Sequence, residues 1–275
     1  LRKLLAVVGL VLCFMTISSI PTHTEAAATR KSQTVTLYLH GHRGNPKSMA
    51  PLMESAVFEK HAHTGVTAFV ANNGKVTLKG HWPAHTKRPL VNVVFKNNRT
   101  HSYYKISHWF RNVLIALKHK YGFKKFNVVA HSLGNAAVLF DELKFSRDKK
   151  LPQLKKYVAI AGNFDGVPGV HKDQHPNQLL TSGRPKWLAP KYRWALAHRQ
   201  NLRIRQARIL NIYGRLNRHV HFDGKILNPS SRSLGYLVRN RVKSYRERRF
   251  TGWDAEHTRL RTNPNVARAV NEFIW

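Results

Sequence analysis

The sequence has almost no cysteine: Cys13, in the apolar N-terminus, is the single one in 275 residues. A disulfide framework and a cysteine-based zinc site are both excluded. Acidic residues are scarce as well, 13 Asp and Glu against 47 Lys and Arg, for a formal net charge of +34. No carboxylate falls between Glu59 and Asp141, or between Asp173 and Asp223. Such an imbalance points to an anionic partner, anionic surroundings, or both. There is no internal repeat, no low-complexity tract and no second long apolar run after residue 20. The chain is still 42% hydrophobic, enough to bury a sizeable core, so disorder is not the default expectation.

The one long apolar run is N-terminal. Arg2 and Lys3 precede Leu4 to Ile20, and Ala26-Ala27-Ala28 follows as a small-residue stretch where a signal peptidase could cut. Residues 1–28 are therefore expected to be a signal peptide, with an uncleaved N-terminal anchor as the alternative. Removing them leaves 45 basic and 12 acidic residues, so the charge belongs to the mature domain, residues 29–275. An extracellular, cysteine-free and strongly basic protein suits a Gram-positive envelope, whose anionic polymers and lipids are the expected surroundings.

From Thr34 onward short apolar runs of β type alternate with segments of helical period, which predicts an α/β fold, a mostly parallel sheet with helices on both faces. Expected strands are 34–39, 66–71, 91–95, 127–130, 157–161, 209–213 and 243–250. Val76 to Leu78 is expected to add a hairpin to the second strand. Helices are expected at 48–61, 102–121, 133–145 and 231–239, with a last one from Asn265 after the cap-like Asn263-Pro264. The segment 163–206 breaks the alternation and is expected to be a cap over the carboxyl edge of the sheet. Trp187 and Trp194 in it are expected to pack the cap down rather than to line a pocket.

Residues 127–135 read Asn-Val-Val-Ala-His-Ser-Leu-Gly-Asn. This strand, tight turn and helix form a nucleophile elbow, G-x-S-x-G with Ala130 in place of the first glycine. Small residues at Ala130 and Gly134 leave room for a strained backbone at Ser132, whose hydroxyl would stand above the sheet. A tetrahedral oxyanion needs at least two NH donors. One is expected from Leu133; the other from His42 or Arg43, in the loop His40-Gly41-His42-Arg43-Gly44 that follows the first strand. Without a carboxylate nearby, the His-x-His pair is read as a loop that positions backbone, so no metal or cofactor is expected.

In this topology the acid and the histidine follow the serine. Asp141, Glu142 and Asp148 sit on or just past the elbow helix, Asp173 is in the cap, and Glu247 falls inside the last strand. Asp254 and Glu256 crowd the candidate histidine. Two acids remain: Asp223, in the sharp Phe-Asp-Gly turn after the strand 209–213, and Asp165 as the second candidate. His257 is the histidine between the last strand and the last helix, from which it can reach across the sheet edge. His219 and His221 lie too close to the acid loop, and His171, His175 and His198 lie in the cap.

With these residues in place the chain resembles the α/β-hydrolases, and within them the secreted cell-surface hydrolases of unknown function from lactic-acid and related bacteria. The matching stretches are His40-Gly41 with Gly44, Ala130 to Asn135, Ala161 to Gly166, Phe222-Asp223-Gly224 with Ser230 to Leu237, and Glu256-His257 with Asn263 to Trp275. The resemblance implies a lipase- or esterase-like serine hydrolase with Ser132, Asp223 and His257 as its triad. Such relatives usually carry a second histidine four residues after the first, where this chain has Arg261. The expected function is hydrolysis of a carboxylic ester, amphiphilic or anionic in character, on the outer side of the cell membrane. The alternative is a silent binder that holds anionic envelope polymer through its basic face. No recognition motif for specific nucleic-acid binding is present.

Overall fold

The computed structural model describes residues 33–83, 85–169 and 177–275. The expected signal peptide, His171, Asp173 and His175 lie outside them. Eight strands form one sheet: β1 Thr34–Leu39, β2 His63–Val70, β3 Val76–Gly80, β4 Pro89–Phe95, β5 Lys125–His131, β6 Gln153–Ile160, β7 Arg208–Arg215 and β8 Ser244–Thr251. Their order is β3-β2-β4-β1-β5-β6-β7-β8, and every pair is parallel except β2 with β3, the hairpin the sequence suggested. Parallel strands covered on both faces require continuous apolar runs. β5 and β1 meet that requirement, since every residue from Val35 to Leu39 and from Phe126 to His131 is buried.

Seven α-helices lie among the described residues, α1 Ala50–Lys60, α2 Tyr103–Tyr121, α3 Leu133–Phe145, α4 Pro190–Ala197, α5 Asn228–Arg232, α6 Leu234–Val238 and α7 Pro264–Ile274, with three short 3-10 turns beside them. Helices α2 and α3 share one apolar cluster with one face of the sheet, while α1 and α7 share the cluster on the other face. The helix ends follow capping rules. Ser102 accepts from the Lys105 NH, Gly122 ends α2 in the left-handed region, and Asn263 caps α7 ahead of Pro264. The single helix expected at 231–239 is instead the pair α5 and α6. They meet at Ser233, whose hydroxyl donates to the Ser230 carbonyl and competes with the helical pattern. The edge strand β8 exposes Arg246, Glu247, Arg248 and Arg249, and charge of that kind discourages pairing with another chain. No helix among the described residues is long and apolar enough to cross a membrane.

The segment 177–206 contains a short antiparallel bridge, Leu179 with Pro185, and then α4. Trp194 stacks on Phe140 of α3 at 5.3 Å and on His198 at 4.0 Å, which fixes α4 to the elbow helix. Trp187 is more than half exposed.

Two of the few carboxylates, Asp141 and Glu142 on α3, are buried. Burial raises both carboxyls, Glu142 to about 8, and the Glu142 charge pushes Asp141 further up. The folded chain thus keeps a proton at Glu142 that the unfolded chain releases above about 4.5, and stability falls as pH rises from there to about 8. Glu142→Gln removes this slope. In urea unfolding its midpoint should rise relative to wild type between pH 5 and pH 8; a constant gap across that range would contradict the assignment.

Candidate active site

Four loops leave the carboxyl edge of the sheet, after β1, β5, β7 and β8, and meet at Ser132. The turn from β5 into α3 forces Ser132 to φ 51°, ψ −124°, a region that side-chain-bearing residues rarely occupy. Local bonds hold it there. The Ser132 NH donates to the Ile160 carbonyl at 2.9 Å, and Asn135 Nδ2 donates to the carbonyls of Ser132 and Ile160 at 3.0 Å each. The Tyr157 hydroxyl in turn donates to Asn135 Oδ1 at 2.8 Å. Glycine is required on both sides of the turn. A Cβ on Gly134 would come within 2.8 Å of the His40 carbonyl, and one on Gly41 within 2.8 Å of the Ser132 Cβ.

His257 Nε2 lies 3.0 Å from Ser132 Oγ, and its Nδ1 lies 2.8 Å from Asp223 Oδ2. A carboxylate oxygen accepts, so Nδ1 carries the proton and Nε2 turns its lone pair to the serine hydroxyl. Asp223 is held by its own turn: Oδ1 accepts from the Lys225 NH at 2.9 Å and the Ile226 NH at 2.6 Å, and the Asp223 carbonyl accepts from the His257 NH at 2.8 Å. All three side chains are buried. The structure brings together the three residues the sequence nominated and leaves out the second acid. Asp165 instead anchors the cap, accepting from the Ala189 NH at 2.8 Å and from Asn177 Nδ2.

The oxyanion side needs one correction. The Arg43 NH, expected as a possible donor, is committed to the Asn98 carbonyl at 2.7 Å, because the loop after β1 packs on the loop after β4. The NH groups of His42 and Leu133 make no bond to another group among the described residues, so these two remain available to an oxyanion.

Two histidines with no assigned role in the sequence reading support this arrangement. His40 Nδ1 donates to the Gly41 carbonyl at 2.7 Å while Nε2 accepts from the Phe95 NH at 3.1 Å, which fixes the loop after β1. His131 Nε2 donates to the His257 carbonyl at 2.9 Å, with the two rings 4.8 Å apart. The bonds from His40 to Phe95 and from His131 to His257 run to residues far along the chain, so only the position of His131 beside the serine could have marked it. Burial lowers the pKa of both, strongly for His131, and the charge of Arg261 lowers both further. Arg261, at the position where a second histidine was expected, donates to the Ser48 carbonyl and is partly buried. Beside Leu133 opens a cavity of about 520 Å³, mostly apolar, bounded by Tyr103, Val167, Ala189, Pro190 and Lys191.

A serine in a left-handed elbow at the carboxyl edge of this sheet defines the α/β-hydrolase class. The chain belongs to the family described as alpha/beta hydrolase of unknown function (DUF915), whose pattern matches residues 23–275. It is similar in fold to the lin2722 gene product of Listeria innocua, with a TM-score of 0.78 and 24% identity over 88% of this chain and 94% of that one. It is also similar to a protein of Lactobacillus plantarum WCFS1 named as a cell surface hydrolase, with a TM-score of 0.71 and 18% identity over 88% and 91% of the two chains. No curated protein sequence matches this chain.

Because protonation of His40 or His131 would place a charge in a buried site, both rings should stay neutral below the ordinary histidine value of 6.5. In histidine-labelled NMR, the His131 ring signals should remain at the neutral position at pH 5.5, and those of His40 should move at a lower pH than the signals of a free histidine reference. Titration of either ring in step with the free histidine reference would contradict the geometry.

Proposed function

We propose that the protein is a serine hydrolase of carboxylic esters, lipase- or esterase-like, acting on the outer side of the cell membrane. The observation that carries this reading is His257, hydrogen-bonded at once to Ser132 Oγ and to Asp223. His257 Nε2 takes the serine proton as Oγ attacks the ester carbonyl, and Asp223 holds the ring in the required tautomer and stabilises the imidazolium. The NH groups of His42 and Leu133 receive the negative charge that develops on the carbonyl oxygen. His257 then gives its proton to the departing alcohol. A water molecule, deprotonated by the same nitrogen, attacks the acyl-serine and releases the acid. The cavity beside Leu133 is suited to the acyl chain, being apolar and adjacent to one of the oxyanion donors.

Secretion or surface attachment rests on the leader-like residues 1–28 and on a net charge of +34, which favours anionic envelope polymer or lipid as surroundings. The same charge favours a second reading, a silent binder of such polymer. A binder has no use for a strained serine, an oriented histidine and two unpaired NH groups in one place, so hydrolysis is the stronger reading.

Short-chain p-nitrophenyl esters test it. Wild type should turn them over, while Ser132→Ala and His257→Ala should each lower kcat/KM by at least about 10³-fold and Asp223→Asn by about 10³- to 10⁴-fold. Asp165→Asn should retain most of the activity. Full activity in Ser132→Ala, or none in folded wild type, would overturn the proposal.

A further inference from the structure

A second cleft, of about 420 Å³, opens between the cap at Leu179 and Gly183 and the corner that joins α6 to β8. It shares no residue with the triad or with the cavity beside Leu133. Three cations line it, Arg232, Arg239 and Lys243, against one carboxylate, Glu247. Glu247 is already engaged, its Oε2 accepting from Arg232 Nε and its Oε1 from the Tyr245 hydroxyl, both at 2.8 Å. Arg239 and Lys243 form no ion pair among the described residues. Both are exposed, but the corner fixes their backbones: the Arg239 NH donates to the Gly235 carbonyl at 3.0 Å and the Lys243 NH to the Ala207 carbonyl at 2.8 Å. The cap closes on the guanidinium, since a Cβ on Gly183 would come within 3.3 Å of Arg239 Nη2.

Two cations without a counter-charge in one cleft attract an anion, and a guanidinium fork facing an ammonium suits a phosphate, whose oxygens accept from both. Beside them the cleft presents the Asn240 amide and the Ser244 and Tyr236 hydroxyls, none of which holds a side-chain hydrogen bond among the described residues. Groups that both donate and accept are matched by the hydroxyls of a polyol. A nucleic-acid base asks instead for an aromatic platform. Here the Arg199 guanidinium lies over the Tyr236 ring, 5.3 Å from its centre, and the Tyr245 ring packs on Gly235, where a Cβ would come within 2.8 Å of it.

We propose that this cleft binds a phosphodiester-linked polyol chain, its phosphate at Arg239 and Lys243 and its hydroxyls against Asn240, Ser244 and Tyr236. The site holds the protein to an anionic polymer and leaves Ser132 free to react. That the protein meets such a chain rests on the reading that it acts on the outer side of the membrane; the chemistry of the cleft does not.

The test measures, by titration calorimetry, the Kd of the full chain for a short poly(glycerol phosphate), and for polyglutamate and single-stranded DNA of the same charge. Wild type should bind the glycerol phosphate chain at least tenfold more tightly than the other two. Arg239→Gln/Lys243→Gln should lose at least tenfold in that affinity while keeping the wild-type circular dichroism spectrum. Lys75→Gln/Lys79→Gln makes the same charge change at the opposite edge of the sheet and should stay within twofold of wild type. Equal affinity for the three polymers, or an equal loss in both double variants, would overturn the site in favour of unselective attraction to the net charge. Tighter binding of DNA that Arg239→Gln/Lys243→Gln abolishes would overturn it in favour of a nucleic-acid site. Turnover of a p-nitrophenyl ester by wild type, measured separately, scores the hydrolase reading, so the two can fail independently.

Discussion

The site depends on one backbone conformation, Ser132 held at positive φ between β5 and α3. A strand-to-helix turn this tight projects the hydroxyl away from the sheet and leaves the Leu133 NH without a helical partner, at the positive end of α3. The cost is of order 1–3 kcal/mol of local strain. It is offset by Asn135, which clamps the turn to β6, and by the absence of side chains at Gly41 and Gly134, which lets the loop after β1 close over the elbow. The serine, its two NH donors and the oxyanion loop are therefore one packed unit.

The rest of the fold delivers two more groups to that unit. Parallel strands all end at the same edge, so the loops after β7 and β8 arrive beside the loop after β5. The turn of Asp223 fixes its carboxylate with two of its own NH groups before His257 is reached, and the backbone bond from the His257 NH to the Asp223 carbonyl ties the two loops together. His131 secures the other side by donating to the His257 carbonyl. Burial of these rings beside the partly buried Arg261 concentrates charge sensitivity in a small volume.

Most of this arrangement was legible in the sequence where the determining pattern is local. Apolar runs marked β1, β4, β5, β6 and β7, and Ala130 to Gly134 marked the elbow because the turn needs small residues at fixed offsets. Scarcity of acids narrowed the choice to Asp223 and Asp165. The local Phe-Asp-Gly turn put Asp223 first, but the role of Asp165 is not local: it is drawn to the Ala189 NH, 24 residues away, in a cap with no clear period. Arg43 failed as a donor for the same kind of reason, since its partner Asn98 comes from another loop. The break between α5 and α6 turns on one serine hydroxyl, and the roles of His40, His131 and Asn135 appear only once β4, β6 and the His257 loop lie beside them. Resemblance to the family supplied the overall frame, and the Arg261 departure from it places a guanidinium beside the buried histidines.

The most direct test of the central claim is to treat the protein with a fluorophosphonate and locate the adduct by peptide mass spectrometry. An activated serine should give a single stoichiometric adduct on the peptide containing Ser132, and none in folded His257→Ala over the same time. An unmodified wild-type protein, or an adduct on a different residue, would contradict the account.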